Sequence, residues 1–359
     1  MSPLGKHLAA LIRSQGPITI ARYMAEALGN PRHGYYMTRD PLGQRGDFTT
    51  APEISQIFGE LLGLWCAIQW QRMGRPDPVH LVELGPGRGT LMVDALRAAR
   101  SVSGFTDAIQ LHLVEMSPAL KTRQAERLHA TWHDRFEDVP EGPVLLIANE
   151  FFDALPIHQF ARTEAGWRER MVGLDESGEQ LTPFLAPGAG ATAALIPQAL
   201  TSAPIGGSAE VCPAGLTIAE AIGRRVARFG GSAAIIDYGH ALSAPGDTLQ
   251  ALRGHRYHGV FQDPGQADLT AHVDFQALAR SAQEAGAAVH GPVEQGSFLR
   301  ALGIDHRARA LSQNASAKQR QAIADGVARL TSEDQMGRLF KVMAISDPAL
   351  PAPEGFSLA

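Results

Sequence analysis

The chain has 359 residues, 45% hydrophobic and 19% charged, a globular balance that argues against general disorder and leaves room for one large domain with insertions or two ordinary ones. A formal net charge of -5 supplies no basic field, which removes the usual electrostatic support for a nucleic-acid partner. The two cysteines, Cys66 and Cys212, make neither a disulfide framework nor a metal cluster, and the apolar run at residues 8–12 is too short for a signal sequence or a membrane span. These features predict a cytoplasmic protein with no membrane insertion.

Residues 1–75 read as an N-terminal helical and lid segment. Within it Asp47, Phe48, Thr49 and Thr50 form a row of small, hydroxyl and acidic residues suited to a loop that closes over a ligand, or to a cap on the helix that follows. That helix is predicted over 53–73 from the spacing of Ile54, Ile57, Phe58, Leu61, Leu62, Trp65 and Ile68. Short apolar runs at 79–85, 109–116, 144–150 and 232–239 then read as strands, the first three separated by helical stretches around 90–100 and 118–129. The alternation predicts βαβ units and an α/β fold with a parallel sheet covered on both faces. The main domain is expected over 76–346, with a β-containing insertion near 165–213, a helical one near 297–333, and a tail over 347–359.

The first strand runs into "VELGPGRGT", which sets Glu83 ahead of Gly85, Gly87 and Gly89. Glycines there allow a sharp turn and a close backbone approach to a ligand. A dinucleotide fingerprint requires glycine at position 90, which is Thr90. Glu115 ends the second strand, where a carboxylate can accept from the two hydroxyls of a ribose. A carboxylate in the glycine loop attracts a cationic amino-acid group and repels a pyrophosphate, although Arg88 is a contrary charge. Between the strands at 109–116 and 144–150, His133 or Asp134 could accept a hydrogen bond from a ligand or be a surface loop residue.

The stretch "VLLIANEFFDALP" places Asn149, Glu150 and Asp153 at the exit of a buried strand, with Phe151 and Phe152 between the acids. Two nearby carboxylates suit a planar guanidinium, and the phenylalanines could wall or stack on it. The same acids could equally serve a helix N-terminus. His272 in "LTAHVDF" could accept a proton or simply be a structural histidine. The thirteen histidines show no metal-binding spacing, and no metal is predicted.

Taken in order, "GDFTTAPEIS", "VELGPGRGT", "IANEFFDALP", "ADLTAHVDF" and "MGRLFKV" resemble the class I S-adenosylmethionine-dependent methyltransferases that include the mitochondrial arginine methyltransferases of complex I assembly. The resemblance implies a Rossmann-like, seven-stranded, mostly parallel sheet with an N-terminal helical segment. It also implies S-adenosylmethionine as cofactor, held by Glu83, the three glycines, Glu115 and Asp134. The expected substrate is a protein arginine on a subunit of respiratory complex I, with symmetric dimethylation as the product. Arginine methyltransferases usually place two glutamates on one loop; here the pair is Glu150 and Asp153. A small-molecule methyltransferase and a non-catalytic, cofactor-binding assembly factor remain the alternatives, and sequence sets no oligomeric state.

Overall fold

A computed structural model describes residues 1–38 and 50–356. Asp47, Phe48 and Thr49 lie outside the described residues. The chain divides into two compact units, each drawn from separate stretches: the described parts of 49–151, 218–239 and 278–359 form one, and those of 1–48, 152–217 and 240–277 the other.

The first unit is built on a sheet whose seven strands lie on one path. In chain order these are β1 (Val79–Leu84), β2 (Ile109–Val114), β3 (Thr131–His133), β4 (Val144–Asn149), β5 (Gly231–His240), β6 (Ala288–Glu294) and β7 (Phe340–Ser346). Their spatial order is β6-β7-β5-β4-β1-β2-β3. The pairs β2–β3, β1–β2, β1–β4 and β4–β5 are parallel, whereas β7 runs antiparallel to both β5 and β6. Four of these six pairings are parallel and two antiparallel, so the sheet is mixed. Every residue of β1 and of β4 is buried, the reason both read as nearly unbroken apolar runs. The chain leaves β1 toward the β3 edge and returns to β4 on the other side of β1. Open α/β sheets bind ligands beyond the carboxyl ends of the strands at such a reversal.

The helix predicted over 53–73 is two helices, Ala51–Ile54 and Gln56–Arg72, parted at Ser55, whose backbone is extended and whose hydroxyl accepts the Ile57 N–H at 3.3 Å. A serine that caps from within competes with helix continuation, a choice the apolar spacing could not show. Ile57, Phe58, Leu62, Trp65 and Cys66 of the longer helix are fully buried in the sheet unit's core. This helix, expected in the lead segment, therefore belongs with the sheet. Gly63 permits the approach of helix Thr90–Ala99: a Cβ there would stand 2.3 Å from the Ala95 carbonyl oxygen. Residues near 297–333 carry the helices Gln295–Ala301, Ile304–Ser312 and Ala317–Thr331.

The second unit packs helices Pro3–Gln15 and Ile20–Gly29 in a core with Ile157, Val172 and Leu269. Four strands of its five-stranded sheet, His158–Thr163, Gly166–Leu174, Leu181–Leu185 and Ser208–Val211, arise in or beside the insertion expected near 165–213. Strands Gln250–Arg253, Arg256–His258 and Asp268–Thr270 form a further small sheet.

Candidate cofactor and catalytic site

The carboxyl ends of β1, β2 and β4 bring together most of the residues singled out above. Gly85, Gly87 and Gly89 adopt φ of 63°, 53° and 74°, left-handed values that glycine takes without a steric penalty. A Cβ on Gly85 would meet the Phe151 ring at 2.9 Å, so Phe151 packs on the glycine loop. Glu83 is 3% exposed, and its Oε2 has no hydrogen-bond partner among the described residues. Burial, followed by the nearby charge of Glu115, pushes its carboxyl up to about 8. An isolated buried acid of this kind is stabilised as the anion by an arriving cation.

Glu115 accepts the Ser117 N–H at 2.8 Å and the Gln124 side-chain amide at 3.3 Å. Burial pushes its carboxyl up, and these donors act in the opposite direction. The carboxylate is oriented by its neighbours yet retains acceptor capacity for a diol. Arg88, the one contrary charge of the loop, lies 3.8 Å from Glu53, which also accepts the Thr90 hydroxyl at 2.6 Å. Glu53 thus draws this positive charge toward helix Ala51–Ile54. Asp134 is largely exposed and ion-paired with Lys121 at 2.6 Å, and that ammonium holds its carboxyl below the usual range. His133 instead joins a chain of rings: His80 Nδ1 lies 3.0 Å from His112 Nε2, and His112 Nδ1 lies 2.9 Å from His133 Nε2.

At the end of β4, Asn149 is buried; its Nδ2 donates to Glu150 Oε1 at 3.2 Å and its Oδ1 has no partner among the described residues. Glu150 has φ 50°, a left-handed value uncommon for a residue with a side chain. Its Oε1 also accepts the Ala51 N–H at 2.9 Å. Thr50, the residue before that helix, makes no side-chain cap, so a carboxylate from the β4 exit takes the capping role.

Asp153, Phe152 and His272 belong to the other unit. Phe152 and Asp153 are buried, and the Asp153 carbonyl accepts the Ala271 N–H at 2.9 Å. The His272 N–H donates to Thr248 Oγ1 at 2.8 Å, and burial, then His240, pushes its imidazole down. Asp274 accepts the Ala277 N–H at 3.0 Å at the start of helix Phe275–Glu284.

These residues fit the chemistry of S-adenosylmethionine: a buried carboxylate oxygen with no partner among the described residues could meet an ammonium, an oriented carboxylate a ribose, and left-handed glycines permit a close backbone approach. A family model described as "Putative S-adenosyl-L-methionine-dependent methyltransferase" matches residues 61–293. The chain belongs to this family: it is an S-adenosylmethionine-dependent methyltransferase of α/β, Rossmann-like fold. It is 42% identical to the mitochondrial protein arginine methyltransferase NDUFAF7 of Mus musculus, across 96% of this chain and 84% of that one. The corresponding protein of Xenopus tropicalis is 40% identical, across 98% and 88%. A crystal structure from Burkholderia thailandensis, bound to S-adenosyl-homocysteine, superposes with a TM-score of 0.86 at 29% identity, covering 99% of this chain and 94% of that one. The cytoplasmic location expected from composition is overturned by these relatives, which are named as mitochondrial. Cysteine content and a short apolar run distinguish reducing from oxidising chemistry but cannot separate one reducing compartment from another. No described helix is long and apolar enough to cross a membrane.

Sequence reading missed the Ala51–Glu150 hydrogen bond, the Glu53 partners and the histidine chain. Each joins residues remote in sequence, and no local pattern marks them.

Proposed function

We propose that this chain is a protein arginine N-methyltransferase whose substrate is a subunit of respiratory complex I, with symmetric dimethylarginine as product. The seven strands on the main path would be those of the class I methyltransferase sheet. Support for arginine comes from the names of relatives 40–42% identical over nearly the whole chain. The observation that carries the reading is the end of β4, where the buried Asn149 Oδ1, without a partner among the described residues, sits beside the backbone-strained Glu150. Strain of this kind persists where surrounding structure enforces it, often at functional sites.

S-adenosylmethionine supplies an electrophilic methyl group on a sulfonium. Glu83 would receive the cofactor's ammonium, Glu115 its ribose hydroxyls, and the glycine loop its backbone, with Asp134 at the adenine side. Glu150 would grip the substrate guanidinium and Asn149 Oδ1 would accept one of its N–H groups, a charge-assisted contact that aims a terminal nitrogen. Phe151 would form the wall behind them. Asp47, Phe48, Thr49 and Thr50 would serve the lid. Asp153 as a further carboxylate, Phe152 as an apolar wall and His272 as a proton acceptor are proposals addressed by variants of each.

Mass spectrometry of complex I subunits, with and without this gene, tests the reading. The expected result is loss of one methylarginine. Unchanged arginine methylation would remove the substrate assignment and leave the methyltransferase class standing.

A further inference from the structure

Gln124 lies on helix Pro118–Ala125, is 0% exposed, and turns its side-chain amide nitrogen to the candidate cofactor site. Its Nε2 donates to the Gly87 carbonyl at 2.7 Å and to Glu115 Oε2 at 3.3 Å, while its Oε1 accepts from Trp132 Nε1 at 2.8 Å. An indole N–H can only donate, so the amide oxygen must face Trp132 and both amide hydrogens must face the loop and the acid. The same region touches the loop again at Gly89, where a Cβ would stand 2.9 Å from Leu128 and 3.6 Å from the Gln124 side chain.

We infer that Gln124 is a positioning residue for the cofactor: its amide, locked by Trp132, fixes the spacing between the glycine loop and the Glu115 carboxylate. This rests on the assignment of Glu115 to the ribose made above. With Ser117 holding Glu115 Oε1 and Gln124 holding Oε2, the carboxylate is steered from both oxygens. Methionine-derived and adenosine-derived parts of the cofactor would then be gripped by two elements whose separation one side chain sets. Gln124 acts through Gly87 and Glu115, so losing it should weaken cofactor binding much more than turnover of the bound complex.

The test uses the purified full chain and S-adenosylhomocysteine as probe. Kd is measured by calorimetry, with KM for S-adenosylmethionine, kcat and melting temperature recorded beside it. Gln124→Leu is expected to raise Kd about tenfold or more, the range for a lost hydrogen bond to a charged group, with KM rising in step and kcat falling far less. Trp132→Phe removes the locking N–H while keeping an aromatic ring, and is expected to raise Kd about threefold, the scale of a neutral hydrogen bond. If Gln124 works through Glu115, adding Gln124→Leu to Glu115→Ala should cost little more than Glu115→Ala alone. A folded Gln124→Leu protein with Kd within about twofold of the parent overturns the inference, as do losses that multiply in the double variant. Should Gln124→Leu fail to fold, an unchanged Kd in Trp132→Phe overturns it. If Glu115→Ala also leaves Kd unchanged, the cofactor placement itself falls; loss in Glu115→Ala alone rejects only the role of Gln124.

Discussion

Strands β1 and β2 carry two buried polar clusters, and they differ in one respect. His80 and Glu83 are three apart on β1, so their side chains leave opposite faces of the sheet. On the histidine face, His80, His112 and His133 hydrogen-bond ring to ring, and His80 also bonds the Glu141 backbone. With each Nε2 carrying the hydrogen, every contact pairs a donor with an acceptor in the neutral state. Burial, then the neighbouring His80 and His133, pushes His112 down to about 4. At the carboxyl edge, by contrast, Glu83 keeps a buried oxygen with no partner among the described residues, and its carboxyl is pushed up to about 8. The satisfied cluster contributes to the fold, whereas the unsatisfied one is the place proposed for the cofactor's ammonium. An unfulfilled buried group is expensive to leave alone and marks function more clearly than polarity itself.

The largest effect that would sharpen this contrast is on catalysis. Glu150→Gln preserves size and an acceptor for the Ala51 N–H while removing charge, so methyl transfer should fall at least about 100-fold in a methylarginine assay, with melting temperature little changed. Near-parental turnover would break the link between the β4 exit and the guanidinium. Next, Glu115→Ala should weaken S-adenosylhomocysteine binding by about 1–3 kcal/mol in calorimetry, whereas a change confined to melting temperature would place it with the structural cluster.

A pH series probes Glu83. Its folded value, about 8, lies above the ordinary 4.5, so the native protein holds a proton that the unfolded chain releases between these values. Unliganded stability should therefore decline as pH rises from about 4.5 to 8. Ligand affinity should move the other way, rising by at most about tenfold per pH unit until about 8, because an ammonium ligand needs the anion. Calorimetry in buffers of different ionisation heat would register the released proton, and Glu83→Gln should flatten the profile.

The smallest effect belongs to the histidines. His112 sits below its ordinary 6.5, so its contribution is complete above that value and is lost as pH falls toward about 4. Denaturant melts at pH 7.5 and 5 should show His112→Leu to be destabilised at neutral pH and less sensitive to acid than the parent, with cofactor affinity near parental at neutral pH. A large affinity loss in a well-folded variant would erase the distinction between the clusters.

Much of the sheet was legible because strands buried on both faces must be apolar along their length, as in β1 and β4. The glycine loop was legible because left-handed backbone restricts residue choice at Gly85, Gly87 and Gly89. Glu115 followed from the spacing of one βαβ step. The break at Ser55 was not legible, since apolar spacing continues across it and only the serine's own cap interrupts the helix. Nor was the grouping of separate stretches into each unit, because it depends on contacts between remote parts of the chain.

By itself the sequence determined the α/β class, the acid-bearing glycine turn and the placing of acids at strand ends, all set by burial and backbone sterics within a few residues. Tertiary structure alone decided which of those polar groups are satisfied. Gln124 reaching Gly87 and Glu115, Glu150 capping Ala51 across ninety-nine positions, and Glu83 left with an oxygen that has no partner among the described residues are outcomes of strand order and helix packing. Hydrogen bonds form where groups meet in space, and the distance along the chain carries no record of the meeting.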